Sequence, residues 1–235
     1  MIKGKRVLWA INVYDRIDQL KQQEEAIRQK YGRDIDILVF CNNTQIPHAT
    51  YREDILITYG KNSGHHGGVK DAHNANLPHL KNYDIIISSH ADCFFTDWNA
   101  PRVFVEKMLA DGKCVLQLEC RERHNTHKGI VQPYTHNDFF IMDARRWERM
   151  GEITEPCDYD EGIEIVLAKN IRRVCTEDEI IVIPCNFQTA TSPHMFENVY
   201  NETHMVREND TAVKLEYLKN NCPDLYEQLR KANFT

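Results

Sequence analysis

No pair of the eight cysteines is spaced as CxxC, and no HExxH occurs among the eleven histidines, which argues against a dedicated zinc site. Cys41, Cys93, Cys114, Cys120, Cys157, Cys175, Cys185 and Cys222 are scattered, most of them inside apolar stretches where cysteine acts as a small hydrophobe. That usage points to a reducing cytosol. Long apolar runs are missing as well, and none approaches the ~18 residues of a membrane span. The basic start of MIKGKRVLWAINVYDR leads into an apolar run of only about 8 residues, too short for a secretory core. On this reading the chain is cytoplasmic, and the sequons at Asn42 and Asn201 go unused. Basic runs interleaved with aromatics are absent, and 29 Lys and Arg against 35 Asp and Glu leave a net charge of −6, so nucleic acid is a poor partner.

What is present is the composition of a folded domain: 235 residues, 42% hydrophobic and 27% charged. A chain of this length buries roughly 70 to 75% of its unfolded surface, enough for a core without staples. There is no internal repeat and no Gly/Ser-rich linker, so the expectation is one domain over residues 1–235.

The front half alternates between two periods. Arg6 to Val13 is a short apolar run without helical spacing, and behind it Ile17, Leu20, Ile27 and Tyr31 recur at helical spacing, with Asp15 as N-cap and Gly32 at C′. DILVFC (Asp36 to Cys41) and DILITY (Asp54 to Tyr59) repeat the strand signal, and YDIIIS (Tyr83 to Ser88) reads as a strand buried on both faces. Gly67 and Gly68 are expected to open a helix running to about Leu80, Pro101 to Leu109 forms another that ends at Gly112, and Lys113 to Leu118 is the next strand. Alternation of this kind predicts a mostly parallel sheet with helical crossovers.

The back half is looser. A His-rich polar segment precedes a strand at Asp138 to Met142, a short helix at Ala144 to Met150, a longer helix from about Tyr159 to Ile171 and a final strand at Ile180 to Ile183. The stretch from Cys185 to Asp210 is long and aperiodic, which reads as a lid or flap, and the chain ends in helices, the last from Asp224 to Lys231 behind Pro223.

The residues that carry chemistry gather where the first strands end. A buried strand ending in His90-Ala91-Asp92 puts an imidazole and a carboxylate at the carboxyl edge of a parallel sheet, where open α/β folds bind ligands. The pair fits a metal or phosphate site; it fits equally a capped turn. Asn12 and Tyr14 follow the first strand and Asn42 and Asn43 the second; amides suit base edges and a tyrosine ring suits stacking, while Asn in such places also serves as a turn former. Lys70 is placed to reach a phosphate, with Gly67 and Gly68 allowing close backbone approach, or else to be a solvated surface lysine. In CDYDEGIEIVLAKNI, Asp160 and Glu161 are expected in the first turn of a helix, where the dipole favours carboxylates.

Four elements in this order resemble the GT-A-fold glycosyltransferases, in particular the inverting, nucleotide-sugar-dependent ones. YDIIISSHADCFFTDW resembles the strand carrying the metal-binding DxD element, GHHGGVKDAHNANL the glycine-rich stretch before it, NDFFIMDARRWERMGEI the strand and helix lining the acceptor pocket, and CDYDEGIEIVLAKNI the acidic motif bearing the catalytic base. The likeness covers Arg6 to about Val174. It implies a Rossmann-type α/β domain with a nucleotide-sugar-binding half (residues 1–120) and an acceptor-binding half with the C-terminal helices (121–235). It implies transfer of a hexosyl or pentosyl group from a nucleotide-diphosphate sugar to a glycan or other hydroxyl acceptor, as in polysaccharide biosynthesis. Asn12, Tyr14, Asn42, Asn43, Lys70, His90 and Ala91 would line the nucleotide, and Asp160 or Glu161 would be the base. Asp92 would hold Mn²⁺ or Mg²⁺, with His194 as a late ligand and His204 in reserve. The first acid of DxD is His90 here, a departure that favours Mn²⁺ among oxygen-preferring cations. Two other classes remain: a nucleotidyltransferase, whose GxGTR-like loop WAINVYDR does not supply, and a non-catalytic sugar- or nucleotide-binding protein of the same fold.

Overall fold

The computed structural model describes residues 1–14, 17–42, 56–91, 93–95, 97–118, 126–127, 130–131, 135, 139–157, 162–183, 205–207, 219–220 and 223–233. Along the chain these form β1 (Val7–Val13), α1 (Ile17–Tyr31), β2 (Ile35–Cys41), β3 (Leu56–Tyr59), α2 (Gly64–Asn76), β4 (Ile85–His90), β5 (Cys93–Phe95), α3 (Ala100–Ala110), β6 (Val115–Leu118), β7 (Thr126–His127), β8 (Ile130–Val131), β9 (Phe139–Asp143), α4 (Ala144–Met150), α5 (Ile163–Val174), β10 (Ile180–Ile183), β11 (Met205–Arg207) and α6 (Pro223–Asn233). Among the described residues, no helix is long and apolar enough to cross a membrane.

Seven strands form one sheet in the order β3-β2-β1-β4-β9-β6-β10. All run parallel except β9, which is antiparallel to both of its neighbours. The mostly parallel α/β sheet expected from the sequence is therefore the one formed. Chain order grows outward from β1 to β3, then returns to lay β4 on the other side of β1. The sheet thus reverses direction of growth between β1 and β4, and open α/β sheets bind their ligands at such a switch point, beyond the carboxyl ends of the strands.

A central parallel strand needs cover on both faces, and β1 (VLWAINV) supplies apolar side chains in both directions. Its odd-numbered residues Val7, Trp9 and Ile11 join Ile37, Val39, Ile85 and Ile87 in a core closed by Leu20 and Ile27 of α1 and Phe104, Val105 and Met108 of α3. Its even-numbered residues Leu8 and Ala10 join Leu38, Ile86, Phe140 and Met142 in a second core, closed by Trp147 and Met150 of α4 and Ile163, Val166 and Leu167 of α5. Each large side chain so buried stabilises the fold by about 1.5–3 kcal/mol.

Local signals account for several boundaries. Gly32 ends α1 with φ 58° while its N–H donates to Arg28 O at 2.8 Å, and Gly112 follows α3 with φ 64°. Three expectations are corrected. Gly67 and Gly68 do not open α2, which starts at Gly64 and passes into a 3-10 turn over Leu77–Asn82. The helix expected from Tyr159 begins at Ile163, because Gly162 has the extended ψ of 156° of an N-cap. Ile180–Ile183 is not the last strand, since β11 pairs antiparallel with β5, Met205 opposite Phe95 and Arg207 opposite Cys93.

Candidate functional site

The switch point is built first by strand register. β1 and β4 pair from Val7 opposite Ile85 to Asn12 opposite His90, so these two polar residues are the last pair of the ladder. Ala91 N–H extends it by donating to Asn12 O at 2.9 Å. Beneath this edge, the fully buried Gln23 of α1 donates from Nε2 to His90 O at 2.9 Å and to Cys93 O at 2.5 Å. Ser89 Oγ donates to Gln23 Oε1 at 3.2 Å and accepts from Trp9 Nε1 at 2.9 Å. Backbone on both sides of position 92 is thus fastened to α1. Asp92 itself lies outside the described residues.

The end of β2 supplies the second wall. Asn42 is buried; its backbone N–H donates to Val13 O at 2.8 Å, and its side chain donates from Nδ2 to Gly64 O at 3.3 Å and accepts from Ser63 Oγ at 3.5 Å. A Cβ at Gly68 would stand 2.0 Å from Asn42 Nδ2, and one at Gly67 would stand 2.8 Å from Ser63 Cβ. The space that these glycines leave is filled by protein: at Gly68 it seats α2 against the end of β2, and at Gly67 it holds Ser63 at the start of α2. Tyr14, 45% exposed, presents its ring at the same edge, and its hydroxyl accepts from Asn62 Nδ2 at 3.0 Å while Asn62 Oδ1 accepts from Gly64 N–H at 3.0 Å. Lys70 is half-buried within α2. Of the residues expected to line a nucleotide, Asn12, Tyr14, Asn42, His90 and Ala91 therefore meet around the ends of β1, β2 and β4. Asn43 lies outside the described residues.

The third wall is the meeting of α2 with α5. His66 Nδ1 accepts from Ile163 N–H at 3.4 Å and lies 3.9 Å from Glu164 Oε2; Glu164 is buried, and its carbonyl accepts from Thr135 N–H at 3.1 Å. Glu164 thus occupies the first-turn position that the sequence suggested for Asp160 and Glu161. Those two residues lie outside the described residues, as does His194. The His66–Glu164 contact is not legible in the sequence, because the two residues are 98 positions apart and meet only where α2 packs against α5.

Deeper in the same cleft, His73 of α2 stacks on Trp147 of α4 with ring centroids 4.7 Å apart and planes 8° from parallel. Its ring nitrogen Nε2 contacts Gly151 O at 3.2 Å, so Nε2 carries the proton and Nδ1 is left with a lone pair. Burial pushes the pKa of His73 from 6.5 down to about 4, with the bond to Gly151 opposing in part, and the imidazole is neutral near pH 7.

Among the described residues, no group of three His, Cys, Asp or Glu side chains converges as a metal site. The ligands expected from the sequence, Asp92, His194 and His204, are outside that set.

No protein-family model and no curated protein matches the chain in sequence. Similarity is found among solved structures. The mannosyltransferase PcManGT from Pyrobaculum calidifontis, in complex with GDP-Man and Mn²⁺, superposes with a TM-score of 0.54 at 12% identity, covering 97% of this chain and 74% of that one. The α/β fold resembles that of this glycosyltransferase, as the motif resemblance implied.

Proposed function

We propose that this protein is a glycosyltransferase that moves a sugar from a nucleotide-diphosphate donor to an acceptor hydroxyl with inversion. The observation that carries the reading is that a chain whose fold is like that of a mannosyltransferase solved with GDP-Man and Mn²⁺ carries Asn12, Tyr14, Asn42, His90 and Ala91 at its own topological switch point.

In this reading the nucleotide lies across the ends of β1 and β2, with Tyr14 offering a ring face to the base and Asn42 fixing the floor. Asn43, Lys70 and the edge formed by His90 and Ala91 complete the donor side, Lys70 through a phosphate oxygen. The acceptor oxygen attacks the anomeric carbon, the bond from that carbon to the phosphate oxygen breaks, and its electron pair leaves with the diphosphate. A carboxylate, Asp160 or Glu161, accepts the acceptor's proton. Asp92 and His194 are an oxygen and an imidazole donor, a set that suits Mn²⁺ and also admits Mg²⁺; such an ion would neutralise the departing diphosphate. Acceptors on this reading are glycans or other hydroxyl compounds, and the site works in the cytoplasm.

Turnover of a panel of UDP-, GDP- and dTDP-linked sugars, with and without Mn²⁺, tests the proposal. Asp92→Ala is expected to stay folded and lose turnover by orders of magnitude. Asp160→Asn is expected to keep nucleotide affinity while kcat falls by about 10² to 10⁴. If Glu161→Gln is the inactive variant instead, the base moves one residue along. Full activity in both variants removes the inverting mechanism, and binding without turnover leaves a sugar- or nucleotide-binding protein in which His90 has replaced an acid.

A further inference from the structure

Among the described residues the large apolar and aromatic side chains that stand exposed are Met1, Tyr14, Val103 and Val182, and Tyr14 is the aromatic one. It directly follows β1, at the switch point. Burial of an aromatic ring is a large stabilising contribution, so a ring left 45% exposed at this edge forgoes much of it unless a ligand covers its face.

The ring is not left to swing. Its hydroxyl accepts from Asn62 Nδ2 at 3.0 Å, and the orientation of that amide is settled on its other side, where Asn62 Oδ1 accepts from Gly64 N–H at 3.0 Å. A backbone N–H only donates, so Oδ1 faces Gly64 and Nδ2 faces the phenol. Asn62 is held in turn. Gly60 N–H donates to Cys41 O at 2.9 Å and Ser63 Oγ donates to Asp71 Oδ2 at 2.5 Å, which ties the chain before Asn62 to the end of β2 and the chain after it to α2. In the sheet β2 lies between β1 and β3, so the bond from Asn62 to Tyr14 joins the chain leaving β3 to the chain leaving β1. Tyr14 is thereby fixed at both ends, its backbone by β1 and its oxygen by Asn62. A neutral hydrogen bond at the surface adds little to stability, and its consequence here is the position of the ring.

We infer that Asn62 is a positioning residue for nucleotide recognition, which holds the Tyr14 ring as a preset stacking face for the base of the donor. The inference rests on the proposed donor chemistry and deepens it. Every base has a π face, so the device adds affinity for a nucleoside without choosing among bases. Its gain is one of order: a ring held before binding has less freedom to lose when the base arrives.

The test is calorimetric titration, with Mn²⁺ present, of wild type, Tyr14→Ala, Tyr14→Phe, Asn62→Ala and the double variant of Tyr14→Phe with Asn62→Ala. The ligands are UDP, GDP and dTDP, and inorganic pyrophosphate, which has no base. Both residues are exposed, and all variants are expected to melt close to wild type. Tyr14→Ala is expected to lose about tenfold in affinity for the nucleotide that wild type binds best. Tyr14→Phe keeps the ring and lacks the hydroxyl, so it and Asn62→Ala should each lose about threefold, and the double variant no more than either. Pyrophosphate affinity should be equal throughout. A structural role for Asn62 at the start of α2 would act whether or not the phenol is there. If Asn62→Ala costs the same beside Tyr14→Phe as it does alone, or weakens pyrophosphate by the same factor, the inference is overturned. Unchanged nucleotide affinity in Tyr14→Ala removes the stacking face and with it the role of Asn62, and leaves the transferase reading standing. Failure of wild type to bind any of the nucleotides overturns both.

Discussion

The two faces of the central sheet bury a tryptophan each and treat it differently. On the face covered by α1 and α3, Trp9 is fully buried, lies edge-on to Phe95 at 6.3 Å and 80°, and gives its N–H to Ser89 Oγ, which in turn is bonded to Gln23. On the face covered by α2, α4 and α5, Trp147 is as deeply buried and stacks between His73 and Phe140, yet its N–H is without a partner among the described residues. One face is finished around Trp9, where Ser89 and Gln23 complete its bonding. The other leaves Trp147 Nε1 and His73 Nδ1 without a hydrogen-bond partner among the described residues.

Changes on each face should move stability by different amounts. The largest stability effect is expected from Trp9→Ala, which empties the finished core and should lower unfolding free energy by about 3–5 kcal/mol in urea titration. Next is a pH effect from the unfinished face. His73 holds a pKa of about 4 in the fold against 6.5 ordinarily, so between those values the unfolded chain takes up a proton that the folded chain refuses. Its contribution is complete above pH 6.5 and is lost progressively as pH falls from 6.5 towards 4, by about 3 kcal/mol at the limit. Urea titrations at pH 7 and pH 5 should show this slope, and His73→Phe should flatten it; an unchanged slope would assign the acid sensitivity elsewhere. Ser89→Ala, which strands the N–H of Trp9, is expected to cost about 1–3 kcal/mol. The smallest change, with opposite sign, is expected from Asn76→Leu: removing an amide that is already unbonded should leave the melting temperature equal or higher. If Ser89→Ala and Asn76→Leu shift the melting temperature alike, the contrast between the faces fails.

Fold was legible where local sequence carries the physics. YDIIIS reads as a strand because a parallel strand covered on both faces needs an unbroken apolar run, and Gly32 reads as a helix end because a positive φ favours glycine there. The start of α2 was not legible. A glycine pair at a helix start looks like an anion-binding loop, but the missing Cβ of Gly68 admits Asn42 from the end of β2, and no local pattern announces a contact so distant in sequence. β11 escaped for a related reason: three residues carry no period, and the strand exists only because β5 pairs with it. For the site, the pairing of Asn12 with His90 follows from strand ends alone. The contact of His66 with Ile163 N–H and Glu164 does not, because it forms only where α2 packs against α5.

Gln23 links the finished face to the chemistry of the other. Its amide spans the backbone at His90 and Cys93, the residues on either side of Ala91 and Asp92, from α1. Backbone fastened on both sides of position 92 has already surrendered conformational freedom during folding, so under the proposed function a donor bound at this edge would have less of it to organise. Gln23→Ala should therefore act at a distance, weakening donor affinity through a larger unfavourable binding entropy while the bonding groups themselves remain in place.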